Sequence, residues 1–269
     1  MAVTGATALA GMGGAALAAR KNFMNFETAM ANVATVTDHA HVSMGKMKDA
    51  VMNMTGDFPQ SAEELANGLY EINSAGFQGA DALKMLGAVA KFSVAGLVDM
   101  GTSVRATASI INAYGMEAGD AVHVTDILFK AVEEGQMTAS EFAINIGDWS
   151  AAAAQMGVSF ESAAAAMAVM TTEGALSANA AATSMAGIMR AFTKPSLEMT
   201  KALKRMGYDT GQAAIKSEGF AQVLGSLWEA SGHSMERFNE LFQDMEGYKG
   251  ALGLVTAGYT SLVSAQNRF

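Results

Sequence analysis

Apolar residues recur at intervals of three and four along most of this chain, and no comparable stretch alternates with a period of two. Such spacing places side chains on one face of an α-helix. Only two prolines, Pro59 and Pro195, interrupt the 269 residues, so long helices are allowed. The sequence therefore predicts an all-α fold. The clearest apolar series are Leu83, Leu86, Ala90, Val94 and Leu97; Val124, Ile127, Leu128 and Ala131; Phe142, Ile146, Trp149 and Ala153; Phe238, Leu241, Phe242 and Met245; and Leu252, Val255, Tyr259 and Leu262.

The composition supports closely packed helices and excludes some classes of function. Aromatic residues make up 7% of the chain, whereas Met reaches 21 residues, and a core of Ala and Met is small-grained and adaptable. The formal net charge is −9 and no basic patch occurs, which argues against sequence-specific nucleic-acid binding. The absence of cysteine excludes disulfides and thiol chemistry.

Helix boundaries are marked by two kinds of local signal. Ser61 with Glu64 and Thr138 with Glu141 have the spacing of capping boxes. Four glycines stand between a small or apolar residue and an apolar one, as in a left-handed glycine C-cap with a hydrophobic contact. One of them would join two alanine-rich helices, predicted at roughly 138–156 and 159–172. The four glycines are Gly76, Gly115, Gly157 and Gly207.

We divide the chain into three parts. Residues 1–22 form a small-residue apolar segment, residues 23–206 a helical core, and residues 207–269 a connector with C-terminal helices. Within the core, 57–134 and 135–206 are predicted to be related helical arrays, with chance similarity in an Ala-rich chain as the alternative. The connector is expected to hold one helix, from about Ser217 to Ala230, and the remainder two.

The N-terminal segment has two interpretations. Its basic pair, Arg20 and Lys21, follows the apolar run, whereas a secretory signal carries positive charge before it. Ala, Gly and Thr give only a weak signal for a membrane span. We interpret the segment as a flexible or interfacial helix, with direct membrane contact as the alternative.

No constellation of residues predicts catalysis, a cofactor or a metal site. His39 and His41 lack the spacing of a helical zinc motif despite the neighbouring Asp38, and His123 and His233 are isolated. The acidic pairs Glu63–Glu64 and Glu133–Glu134 are interpreted as solvated helix residues. The helical methionines Met167, Met170, Met185 and Met189 are interpreted as core, with an exposed binding groove as the alternative.

Several blocks, taken in order, resemble the core region of tape measure proteins from long-tailed bacteriophages. Their order and spacing carry the likeness, which covers most of residues 23–265. The blocks are FETAMANVATV at 26–36, FPQSAEELANGLYEINSAGF at 58–77, Ala113-Tyr114-Gly115, VTDILFKAVEEGQMTASEFA at 124–143, AAQMGVSFESAAAAMAVMTTEG at 153–174 and FTKPSLEMTKALKRMGYD at 192–209.

The resemblance implies a non-enzymatic protein of the virion tail, assembled in the host cytoplasm. Such proteins help set tail length within the tail tube and leave the tail during DNA delivery. The implied partners are the tail tube protein, tail assembly chaperones and tail-tip or baseplate proteins, together with self-association and contact with the host membrane. The alternative is a membrane-active helical protein, either pore-forming or bacteriocin-like.

Chain length bears on the ruler role. A continuous helix of this length would span roughly 400 Å, because each residue adds about 1.5 Å. The many glycine breaks instead predict helical hairpins. We therefore expect this sequence to be an anchoring or nucleating part rather than the ruler itself.

Overall fold

The computed structural model describes residues 3–38, 43–256, 258–266 and 268, with side chains described from residue 17 onward. Throughout these ranges the regular secondary structure is helical, which confirms the all-α prediction. Two 3₁₀ turns, Ala118–Asp120 and Ile146–Asp148, accompany the α-helices. The helices are α1 Val3–Val36, α2 Met44–Met54, α3 Ala62–Ser74, α4 Gly79–Gly96, α5 Met100–Tyr114, α6 Ala121–Glu134, α7 Ala139–Asn145, α8 Ser150–Met156, α9 Phe160–Thr172, α10 Ala178–Thr193, α11 Leu197–Arg205, α12 Gly211–Glu218, α13 Phe220–Ala230, α14 Met235–Asn239, α15 Met245–Val255 and α16 Tyr259–Gln266.

Both predicted capping boxes are confirmed. At α3 the Ser61 hydroxyl accepts from the Glu64 backbone N–H at 3.2 Å, and the Glu64 carboxylate accepts from the Ser61 N–H at 2.8 Å. Thr138 and Glu141 make the same pair of bonds at α7, at 3.1 and 2.8 Å. These bonds satisfy backbone donors that a helix start leaves without partners.

The four predicted glycine C-caps are also confirmed. Each has a left-handed backbone, with φ between +63° and +99°, which costs a residue with a Cβ but not glycine. The next residue in each case donates its N–H to the carbonyl five residues earlier, at 2.9 to 3.2 Å. This is the Schellman pattern, and it ends the helices α3, α5, α8 and α11.

Two predicted helices are wrong as single elements. The stretch 138–156 is divided into α7, a 3₁₀ turn and α8, because Trp149 takes an irregular backbone (φ −129°, ψ −24°) and stacks between Phe142 and Phe160. The connector contains two helices, α12 and α13, since Gly219 at φ +88° separates them. The described part of 233–269 likewise has three helices instead of two.

The α4 series is partly wrong. Leu86 and Ala90 are fully buried, but Leu97 is 90% exposed. The helix ends at Gly96, and Leu97 adopts a left-handed backbone with φ +53°. Its side chain therefore leaves the face that the helical spacing assigned to it.

A single hydrophobic core extends from Phe26 in α1 to Ala265 in α16. The C-terminal half of α1 packs along α3, and the two helices run parallel. Asn25 donates to Glu63 at 2.9 Å near one end of this contact, and Asn73 donates to Thr37 at 2.7 Å near the other. The methionines of α9 and α10 are fully buried, which confirms their assignment to the core.

Candidate functional site

The described histidines do not assemble a metal site. His123 lies 3.1 Å from the Glu161 carboxylate on the surface, and the His233 ring packs against Trp228 with centroids 5.5 Å apart. His39 and His41 lie outside the described residues. Among the residues that the structure describes, no three His, Cys, Asp or Glu side chains are grouped to hold a metal ion.

The acidic pairs have structural partners. Glu63 accepts from Asn25 and Glu64 belongs to its capping box. The Glu134 carboxylate accepts hydrogen bonds from Arg268 Nε at 2.9 Å and from Arg268 Nη2 at 2.6 Å, and it forms an ion pair with Lys130 Nζ at 3.3 Å.

The hydrogen bonds from Arg268 lower the pKa of Glu134 below its usual value, against the opposing effect of partial burial, and Lys130 adds to the lowering. The interpretation of Glu134 as simply solvated is thus incomplete. The ion pair joins Glu134 to Arg268, 134 positions away, so no local sequence pattern predicts it.

Aromatic side chains enclose two buried polar atoms. Tyr114 and Trp149 both pack against Phe160, with ring centroids 5.9 and 6.5 Å apart. The Tyr114 hydroxyl and the Trp149 Nε1 have no hydrogen-bond partner among the described residues. Burial raises the pKa of Tyr114, and the Glu161 charge adds to the effect. The hydroxyl therefore stays protonated, and the Tyr114 ring contributes a packing contact with Phe160.

The N-terminal part of α1, residues 3–24, forms an arm that is exposed wherever its side chains are described. Every residue from Leu17 to Met24 is exposed, including Phe23 at 63% and Met24 at 56%. At about 1.5 Å per residue the arm is roughly 33 Å long. Arg20 and Lys21 form no ion pair with other described residues. Within the described ranges, no helix combines the length and apolar character needed to cross a bilayer.

A wide, shallow depression that is largely open to solvent lies on the surface beside Leu97. Val94, Leu97 and Pro59 supply apolar surface, and Glu64 and Asp99 supply carboxylates. We call it the Leu97 cavity. Sequence reasoning missed it because it assigned Leu97 to the buried face of α4. The available signal was the helix break between Gly96 and Asp99, whose side chain caps α5 by accepting from the Thr102 N–H at 3.0 Å.

The fold defines first a class: an all-α protein whose described helices share one hydrophobic core. A family model described as phage-related minor tail protein matches residues 48–247. The chain belongs to that family, whose members are structural components of the virion tail.

Two curated relatives are similar to the chain, and the first of them aligns with more of it than the family model does. The chain is 27% identical to the tape measure protein of Pneumococcus phage Dp-1 over 94% of its own length and 22% of the relative's. It is 26% identical to the probable tape measure protein of Clostridium phage phiCD119 over 59% of its own length and 17% of the relative's. The expected resemblance to tape measure proteins is confirmed, and the chain spans about a fifth of the length of these relatives. No solved structure matches it.

Proposed function

We propose that this chain is the folded anchoring segment of a tape measure protein, acting in tail assembly, tail length determination and DNA delivery. The observation that supports this most is the similarity to the tape measure protein of phage Dp-1, which runs along 94% of the chain. The function is mechanical, and its partners are the tail tube protein, the assembly chaperones and the tail-tip or baseplate proteins. Copies of the chain also associate with one another.

The way the chain is folded supports the anchoring role. A ruler sets length by residue count only if its residues are extended along the tube. Here contacts join distant parts of the sequence, such as Glu134 with Arg268 and Ser261 with Glu173, and the helices reverse direction at glycine caps. The longest helix, α1, has 34 residues and so spans only about 50 Å. A body of this kind suits attachment at one end of the tail better than measurement of its length.

A membrane-active role is the second candidate, supported by one feature. The arm presents Leu17, Phe23 and Met24 beside the basic pair Arg20–Lys21, a combination that favours an anionic bilayer surface.

The anchoring role is tested by insertion in the phage that encodes this chain. About 60 residues of helix-forming sequence would be placed at the exposed Gly207 turn, and tail length measured by electron microscopy. An anchor leaves tail length unchanged, whereas a ruler would lengthen the tail by about 90 Å. A lengthened tail would overturn the proposal.

A deletion provides the complementary test. In-frame removal of residues 139–205, which form α7 to α11, is expected to leave few assembled tails because it removes part of the common core. Well-formed tails shortened by about 100 Å, the contour of the deleted residues as helix, would support measurement instead of anchoring.

A further inference from the structure

We propose that residues 17–24 of the arm of one copy dock in the Leu97 cavity of a second copy. The proposal deepens the self-association included in the proposed function. Its experiments use the purified chain in solution, whereas the anchoring role is tested by tail length, so the two can fail separately.

Leu97 occupies a position where this protein otherwise uses glycine. Val98 donates to the Ser93 carbonyl at 3.0 Å, which is the same Schellman bond that follows Gly76 or Gly115. A leucine in this left-handed conformation is less stable than one in an ordinary backbone, and here its side chain is also 90% exposed. A residue that is strained and gains no burial within its own chain is suited to a contact outside it.

The chemistry of the cavity specifies the kind of segment that fits. Apolar side chains form one part of its lining, and the carboxylates of Glu64 and Asp99 lie at another. Glu64 Oε1 and Asp99 Oδ2 have no hydrogen bond to other described residues, since the capping bonds use the other oxygens. No basic residue lines the cavity. An apolar segment that carries positive charge would complement it.

The arm has this chemistry. Leu17, Phe23 and Met24 are exposed apolar side chains, and Arg20 and Lys21 lie between them in sequence. No acidic residue occurs from Val3 to Phe26. The described side chains of the arm, from Leu17 to Met24, are all exposed, so a partner that covered them would remove apolar surface from water.

The positions of the arm and the cavity favour a second copy as that partner. Since α1 and α3 are parallel, with Asn25 beside Glu63, the arm projects beyond the N-terminal end of α3. The cavity lies at this same end, next to Pro59, Gln60 and Glu64. Residues 17–24 are exposed and belong to one continuous helix with residues 25–36, so they do not turn back to occupy the cavity of their own chain. Each copy therefore offers both surfaces at one end, which allows a closed, reciprocal exchange of arms.

Cysteine pairs test the docking directly, because the chain contains no cysteine. Single variants M24C and L97C are mixed in equal amounts, oxidised and analysed on non-reducing gels with mass spectrometry. The mixture should give the mixed M24C–L97C disulfide. A matched control replaces L97C with V122C, which alters an exposed valine in α6. Mixed disulfide no more abundant than in this control would overturn the proposal.

Association measured by light scattering supplies a second readout that does not depend on cross-linking. L97G relieves the strained backbone, so the fold should become more stable while self-association weakens by about tenfold. A175G also relieves a left-handed alanine, with φ +50°, and should leave association unchanged. The double variant R20E/K21E should weaken association about tenfold as well. Equal association of the wild type and L97G, or a wild type that stays monomeric at all concentrations, would contradict the proposal.

Vesicles distinguish the membrane alternative. If a monomeric chain binds vesicles of anionic phospholipid and R20E/K21E abolishes that binding, the arm serves a bilayer and the docking proposal is wrong. Retained self-association together with no vesicle binding would support docking.

Discussion

The crossing of α10 with α15 is tightly packed, whereas the described side chains of the N-terminal arm of α1 are exposed. At the crossing, a Cβ added to Gly187 would lie 2.7 Å from the Gly247 nitrogen, and one added to Gly250 would lie 2.5 Å from Ser184 Cβ. In the arm, every described residue from Leu17 to Met24 is exposed. Small residues permit two helices to approach each other closely, but they do so only where the second helix has a complementary surface.

Polar contacts reinforce the crossing and not the arm. Arg190 forms an ion pair with Asp244, whose other carboxylate oxygen accepts from the Gly247 N–H at 2.7 Å. This fixes the start of α15 against α10. Arg20 and Lys21 of the arm have no such contact with other described residues. The comparison implies that the crossing contributes to folding stability, whereas the arm is available for association.

The largest effect is expected where α1 passes from the arm into the core. Phe26 is 4% exposed and Phe23 is 63% exposed, although the two residues are only three positions apart on one helix. Phe26→Ala should lower the free energy of unfolding by about 3–5 kcal/mol, and Phe23→Ala by less than about 0.5 kcal/mol. Urea denaturation at low protein concentration measures both. Similar losses for the two variants would mean that the arm is packed in solution.

A smaller effect is expected at the crossing. Gly250→Ala should lower the free energy of unfolding by about 1–3 kcal/mol, because the new methyl group overlaps Ser184 and Met170. Gly87→Ala is the matched control. This glycine lies within α4, and a Cβ there meets nothing within 4 Å, so the helix should gain up to about 1 kcal/mol. If both substitutions stabilise the protein, the crossing is looser than the structure indicates.

Local signals account for what could be predicted from the sequence. Capping boxes and glycine caps depend on residues within a few positions, so Ser61, Thr138 and four glycine turns could be assigned without tertiary information. The division at Trp149 could not, since it depends on stacking against Phe160 across a turn. Nor could the exposure of Leu97, which depends on where α4 ends. The related arrays at 57–134 and 135–206, and the boundaries at 22 and 206, stay predictions.

The burial of small residues was the least predictable feature. Gly187 and Gly250 are 63 positions apart in the sequence and belong to different helices. Each would be an unfavourable helix residue if considered alone. Their role becomes clear only from the helix packed against them. Residues 1–22 are also rich in small residues, so composition alone does not predict a crossing such as that of α10 with α15. The candidate docking surfaces were missed for the same reason, because exposure is a property of the whole fold.

The smallest effect concerns charge, and it depends on pH. Arg268 and Lys130 lower the pKa of Glu134 in the folded protein, so this ion pair stabilises the fold above the unfolded-state pKa of about 4.3. The stabilisation is lost as pH falls through the lowered folded-state value, where the carboxylate becomes protonated. Glu134→Gln should therefore reduce the free energy of unfolding at neutral pH, with the difference from wild type disappearing in acid.

Urea denaturation at several pH values measures this difference. The control is Glu133→Gln, which changes the neighbouring carboxylate. The Glu133 side chain is 73% exposed and its ion pair is with Lys130 alone, so the expected loss is smaller because exposed ion pairs contribute little. A Glu134→Gln effect that persisted unchanged in acid would mean that the Glu134 side chain stabilises the protein by packing and not by charge. The contact between Glu134 and Arg268 would then depend on packing, as the crossing of α10 with α15 does. Its contrast with Arg20 and Lys21, which form no ion pair with other described residues, would no longer be electrostatic.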